Sequence, residues 1–266
     1  MAFAAVRIGV ARLAAVDWVL ELAENANTYT PLGAADERIV DDRYVLWMGP
    51  VDEPWANVAQ RFRLRPDEIE EVRAEIHGIL RAKGRTACTW EVGSHATPEG
   101  LVDRLLALGL VDDQPTALAV GMVLTEPPAQ GPLGVEVRRA QSPAEHLAAD
   151  QIAAVAFGQP VPTEPRPRDE DPDNVVYLAY VDGEPVARAS GSFGEHGVTL
   201  FGGSTLPEAR GRGAYRALVA ARWEDAVARE TPVLVTQASP MSRPILAQLG
   251  FREVCEIRIL LDEFDR

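Results

Sequence analysis

The chain has 266 residues, 47% of them hydrophobic and 25% charged, and a formal net charge of −14. This composition supports a buried core in one large or two small domains and excludes a fibrous or wholly disordered chain. The acidic balance argues against a phosphate-backbone partner, which needs a concentrated basic face, and favours cationic ligands through its long-range field.

Residues 1–19 are too broken by Arg and Asp for a signal peptide and read as a first amphipathic helix. No run of ~18 apolar residues follows, so no membrane span is expected. Residues 67–83 place Ile69, Val72, Ile76, Ile79 and Leu80 on one helical face. A strand over 86–92, a helix over 97–108 stopped by Gly109, and a strand over 117–124 come next. Trp47, Trp55 and Trp90 lie at strand-like positions of this half, where core packing is the default and a cleft wall the alternative. The Pro/Gly-rich stretch 126–134 reads as a linker, which divides the chain into domains of 1–130 and 131–266.

The second half opens with a short strand at 135–137 and a helix over 142–157 with Ser142 as N-cap. The Pro-rich stretch 159–173, with Arg166, Arg168 and an acidic run, reads as a long surface loop or a lid. Strands at 175–181 and 185–192 are joined by Asp182-Gly183, a strong hairpin signal. A strand at 198–205, a helix over 214–229, a strand at 233–236, a short helix over 242–249 stopped by Gly250, and a last strand or pair over 251–261 complete it. The helix–strand–helix–Gly–strand block ending at Leu110 recurs in the block ending at Phe251, so the halves read as a tandem of related α/β domains. Cys88 and Cys255 sit in apolar runs with no CxxC or Cys/His cluster, so neither a disulfide framework nor a metal site is expected, and the reduced cytoplasm is the simplest location.

The segment Gly202-Gly-Ser-Thr-Leu-Pro-Glu-Ala-Arg-Gly-Arg-Gly-Ala-Tyr215 carries the chemistry. A strand runs into an Arg/Gly loop and directly into a helix, whose first N–H groups lack partners and whose dipole is positive there. Gly211 and Gly213 let backbone approach a phosphate, and Arg210 and Arg212 add charge. The glycine spacing fits neither GxGxxG nor GxxxxGK[ST].

Arg210-Gly211-Arg212-Gly213-Ala214-Tyr215 resembles the acetyl-CoA motif [Q/R]-x-x-G-x-[G/A] of the GNAT (Gcn5-related) N-acetyltransferases, with Tyr215 departing at the last position. The following strand, helix and Leu249-Gly250-Phe251 ending strengthen the likeness, which spans about residues 133–266. It implies an α/β (α+β) fold of two GNAT-like domains, each a mixed, mostly antiparallel sheet flanked by helices. It also implies an acetyl-CoA-dependent N-acyltransferase acting by direct transfer to a small, cationic amine, with no nucleic acid, membrane or metal partner. A homo-oligomer is compatible with this. The cosubstrate would contact Thr205, Leu206, Arg210, Gly211, Arg212, Gly213, Ala214 and Tyr215, and the Leu206 N–H would be the oxyanion donor.

Many members carry a Tyr acid four residues before the final Gly, where this chain has Leu246. The family's pantetheine-binding Asn maps to Ser239. Ser239 and Ser242 read either as catalytic contacts or as cap residues, and Glu195, His196 and Tyr177 are base candidates by position only. In the first half the corresponding loop, Arg63-Leu-Arg-Pro-Asp-Glu68, has no glycine and places carboxylates where a pyrophosphate would sit, so this copy reads as degenerate, walling the acceptor site. A non-catalytic acyl-CoA sensor and a protein-modifying acetyltransferase with a docking N-terminal domain stand as alternatives.

Overall fold

The computed structural model describes residues 17–128, 134–167 and 171–264. Most of the expected first helix, the centre of the linker and the acidic tip of the Pro-rich loop, with Arg168, lie outside them.

The described chain begins with α1 (Trp18–Glu24) and α2 (Ala26–Tyr29). Three short strands follow, β1 (Glu37–Val40), β2 (Val45–Met48) and β3 (Asn57–Gln60), for which the sequence sets no bounds, although Trp47 of β2 lies at a strand-like position as expected. Next come α3 (Ile69–Ala82), β4 (Ala87–Gly93), α4 (Leu101–Ala107), β5 (Val111–Asp112) and β6 (Leu118–Leu124). The second half holds β7 (Val135–Arg139), α5 (Pro143–Phe157), β8 (Asn174–Val181), β9 (Glu184–Gly194) and β10 (Gly197–Thr205). It ends with α6 (Ala214–Ala228), β11 (Leu234–Ala238), α7 (Arg243–Gln248) and β12 (Arg252–Glu263).

Local chemistry sets most boundaries. Ser142 closes a capping box with Glu145 ahead of α5, and Gly158 ends that helix in the left-handed region at φ 66°. Asp182 and Gly183 both take positive φ in the β8–β9 hairpin, as a tight primed turn requires. α3 starts two residues later than expected because Glu68 folds back: its carboxylate accepts the Arg65 N–H at 2.7 Å. α4 is shorter than expected because Gly100, at φ 72°, turns the chain immediately before it.

All twelve strands form one sheet in the order β1-β2-β3-β4-β12-β6-β11-β10-β9-β8-β7, with β5 beside β12. Among the described strands only β3–β4 and β10–β11 are parallel pairs. The two halves exchange their last strands. β6 closes the first half yet pairs with β11 of the second, and β12 closes the second yet pairs with β4 of the first. β6 and β12 then pair with each other at the centre. One core packs α6 and α7 residues such as Leu218, Trp223 and Leu246 on the second half's strands. The other packs α3 and α4 on the first half's strands around stacked Phe62 and Trp90. β12 is fastened to α3 by Asp262, which accepts Arg73 Nη2 at 2.7 Å and meets His77 Nε2 at 2.8 Å. Among the described residues no helix is long and apolar enough to cross a membrane.

Candidate functional site

The parallel pairing of β10 with β11 stops after Val198↔Leu234 and Thr199↔Val235. Thr236 Oγ1 makes one further link, donating to Leu200 O at 3.2 Å. Beyond it the strands part. The cause lies in β10, whose register against β9 shifts between Phe201 and Ser204. Gly202 and Gly203 occupy that bulge, Gly202 at φ 54°, a conformation few side chains tolerate. A Cβ on Gly203 would stand 2.6 Å from Tyr215 Cε2, so the ring lies directly on the bare backbone.

The opening widens into a cavity of about 1460 Å³. One wall is the bulge with Ser204 and Thr205, and another is Gln237, Ser239, Ser242, Ile245 and Leu246 from β11, the turn after it and α7. Its floor is the start of α6, with Arg210, Gly211, Gly213, Ala214, Tyr215 and Arg216. Gly211 and Gly213 both adopt left-handed backbone, at φ 77° and 83°. The first turn of α6 carries no acidic residue and Gly213 offers no capping side chain, so its dipole and N–H groups are left for an anion.

Three expected contacts need correction. Leu206 N–H is committed to Val186 O at 2.9 Å, because β10 regains its register with β9 after the bulge; it is no oxyanion donor here. The Leu206 side chain packs with Ile152 and Leu178 rather than lining the cavity. Arg212 turns outward and pairs with Asp182 at 2.7 Å, so its guanidinium is also off the lining. Ser239 and Ser242 do line it, with their hydroxyls 3.3 Å apart. Ser239 Oγ accepts the Ser242 N–H at 3.4 Å, while Ser242, the N-cap of α7, makes no capping hydrogen bond with its own side chain.

The base candidates chosen by position are not brought to the cavity. Tyr177 is buried under α6 and donates to Asp225; burial first and that carboxylate second push its hydroxyl well above the ordinary tyrosine range. His196 stacks on Trp18 with ring centroids 3.6 Å apart, and Glu195 sits exposed in the β9–β10 turn. The group that the sequence reading passed over is Glu91. It lies on β4 of the other half and lines the cavity, 8% exposed. Gln237 Nε2 of β11 donates to it at 3.1 Å. Gln60 of β3, with its amide turned so that its oxygen faces the Thr28 N–H, donates to the same carboxylate oxygen at 3.2 Å. Burial raises Glu91 to about 7, opposed by the Gln237 hydrogen bond. A signal was available: Glu91 is the one charged residue in the run Ala-Cys-Thr-Trp-Glu-Val-Gly.

The first half also supplies Asp36, Trp47, Trp55 and Val58 to the same cavity. Of the three tryptophans, Trp90 is core and Trp47 and Trp55 are walls. Gln159, at the start of the Pro-rich loop, lines the cavity as well. Where the first half repeats the parallel pair, as β3 and β4, no matching opening forms. Leu64 N donates to Thr97 O and Thr97 N to Phe62 O, each at 3.1 Å, and these bonds stitch the strands together past the paired region.

A mixed sheet of two similar halves, a bulged strand diverging from a parallel neighbour, and a glycine loop entering a helix at the mouth of that divergence form a recognisable architecture. The chain has the GNAT fold. A GCN5-related N-acetyltransferase from Kribbella flavida superposes with a TM-score of 0.70 at 20% identity, covering 92% of this chain and 95% of that one. A tandem GNAT protein from the clavulanic acid biosynthesis pathway superposes at 0.58 with 14% identity, covering 94% of each chain. A GCN5-related N-acetyltransferase from Sphaerobacter thermophilus gives 0.56 at 15% identity, over 84% of this chain and 82% of that one. No protein-family model matches the sequence, and no curated protein matches it. Among the described residues, no group of three or more His, Cys, Asp or Glu side chains in this GNAT fold is placed to hold a metal ion.

Proposed function

We propose that the protein is an acyltransferase that moves an acetyl group from acetyl-CoA directly to an amine, with the working site in its second half. One observation carries the reading: the opening between β10 and β11 leads onto an α6 N-terminus with two left-handed glycines and no carboxylate in its first turn. The fold shared with proteins named as GNAT acetyltransferases supports it. The pyrophosphate of the cosubstrate would lie on the N–H groups of residues 213–216, with Arg210 and Arg216 beside it. The pantetheine would run between the diverging strands as an added strand, with Ser239 in reach of its amides. With the Leu206 N–H spent, the oxyanion falls to the backbone of Gly202 and Gly203, which have no register partner in either neighbouring strand.

The first half, residues 1–130, acts as a wall of the acceptor site and binds no cosubstrate of its own. Its strands are stitched where the opening would be, and Glu68 stands just ahead of α3. Leu246 favours a second reading, a sensor that binds acyl-CoA without turnover, since no hydroxyl stands where relatives carry an acid.

Calorimetric and thermal-shift titration with acetyl-CoA, on wild type and Gly213→Glu, tests the reading. Saturation at 100 times Kd adds about 2.7 kcal/mol of stability. Wild type should show the shift and the added carboxylate should abolish it. No shift in wild type removes both readings. A shift without thiol release across an amine panel leaves the sensor.

A further inference from the structure

The charged side chains around the cavity are segregated. Arg188, Arg210, Arg216 and Arg222 all come from the second half, and Asp36 and Glu91 both come from the first. The basic side faces the helix N-terminus proposed for the cosubstrate. The acidic side belongs to a different surface, whose rings are Trp47 and Trp55. Trp55 is 61% exposed and lines the cavity, so a large apolar surface is open to a ligand there. Trp47 is held in place: Gly49 leaves room for its ring, since a Cβ there would stand 2.9 Å from Trp47 Cη2. Asp36, beside it in the lining, accepts the Gly33 N–H at 3.0 Å.

Resting on the proposed acyl transfer, we infer that the first-half face of the cavity is the acceptor site. It takes an arylalkylamine, with the flat apolar body against Trp47 and Trp55 and the amino group on Glu91. Tryptophan faces attract both flat rings and ammonium groups, and a buried carboxylate without an arginine partner is the natural complement of an amine. Gln60 and Gln237 orient the carboxylate without neutralising it. In the transfer, Glu91 first takes one proton from the bound ammonium group and passes it to solvent, which frees the nitrogen lone pair. That pair forms the C–N bond, the C–S bond breaks with its electron pair on sulfur, and the second proton released from nitrogen passes through Glu91 to the departing thiolate. The groups packed around Glu91 that bear on this are the uncharged Gln237 of β11, Gln60 of β3 and Ile259 of β12, with the Cys88 thiol on its own strand. Glu24 and His95 pair with each other at the end of that strand.

The test uses the full chain and 2-phenylethylamine, n-butylamine and 2-phenylethanol as probes, titrated calorimetrically without acetyl-CoA. The arylalkylamine should bind at least about tenfold tighter than either other probe. Glu91→Gln should weaken it by a similar factor, and Trp55→Ala, a surface change with little folding risk, by about fivefold. With acetyl-CoA present, Glu91→Gln should lower kcat about 100-fold while leaving the acetyl-CoA Kd unchanged, and Trp55→Ala should raise KM for 2-phenylethylamine but not for n-butylamine. Equal binding of the amine and the alcohol, or wild-type binding in both variants, overturns the inference. If acetyl-CoA fails to bind while the amine pattern holds, the transfer reading and the proton step fall, and the amine site survives on its own.

Discussion

Asp262→Asn tests how firmly the exchanged strand β12 ties the two halves together. Asp262 is 2% exposed and receives Arg73 Nε at 3.0 Å, Arg73 Nη2 at 2.7 Å and His77 at 2.8 Å. An amide keeps one acceptor oxygen but turns an NH2 toward donors and leaves the guanidinium without its counter-charge. Breaking a buried ion pair costs about 3–5 kcal/mol. Arg73 is 23% exposed on its side chain and therefore partly solvated, so the lower end, about 3 kcal/mol, applies. In a domain of this size that is a fall of about 6–12 °C in Tm. The pH dependence gives a second reading. Burial raises Asp262, but hydrogen bonds from His77 and Arg73 outweigh it and hold the carboxyl below its ordinary value of 3.8. Its stabilisation is therefore complete above that value and is lost as pH falls through the lower, folded-state pKa. Thermal melts of wild type and variant should differ by about 3 kcal/mol at pH 7, and the gap should close below about pH 4. A gap under about 1 kcal/mol at pH 7, or one unchanged in acid, would refute the assignment. The triad lies outside the cavity, so acetyl-CoA binding serves as the control.

Glu91 should act on stability in the opposite sense. Its folded value of about 7 exceeds the ordinary 4.5, so the native state keeps a proton that the unfolded chain releases. Stability should fall by about 3 kcal/mol as pH rises from 4.5 to above 7, and Glu91→Gln should remove that slope in urea titrations. Gly203→Val should displace the Tyr215 ring from the bulge, because even its Cβ stands 2.6 Å from Cε2. Calorimetry should show acetyl-CoA bound about tenfold more weakly (about 1.4 kcal/mol), and an unchanged Kd would mean that the bulge does not shape the cleft.

The second half was largely legible in its residues. The Asp182-Gly183 turn, the Ser142 cap and the Gly250 stop are local signals, and each falls at the observed boundary or within two residues of it. The phosphate-type loop was legible for the same reason: a glycine's φ and a helix's unpaired N–H groups are properties of a few consecutive residues. Leu206 misled because a strand's outward N–H can be read only with the register known, and the Gly202–Gly203 bulge resets that register. β1 to β3 have no bounds in the sequence because strands of four residues carry too few alternations to stand out.

Short-range pattern by itself determined the element order of the second half, the glycine loop that enters α6 and the recurrence of one helix–strand–helix–Gly–strand block in both halves. Only the tertiary structure decided that β6 and β12 change places, because which strand completes a sheet depends on edges that meet in space, far apart along the chain. Glu91 follows from that exchange. Two strands separate β4 from β11 in the sheet, yet the sheet's curl brings the Glu91 carboxylate to Gln237, 146 positions away in sequence. No period or motif reports such a meeting, since it comes from the twist accumulated across strands of both halves.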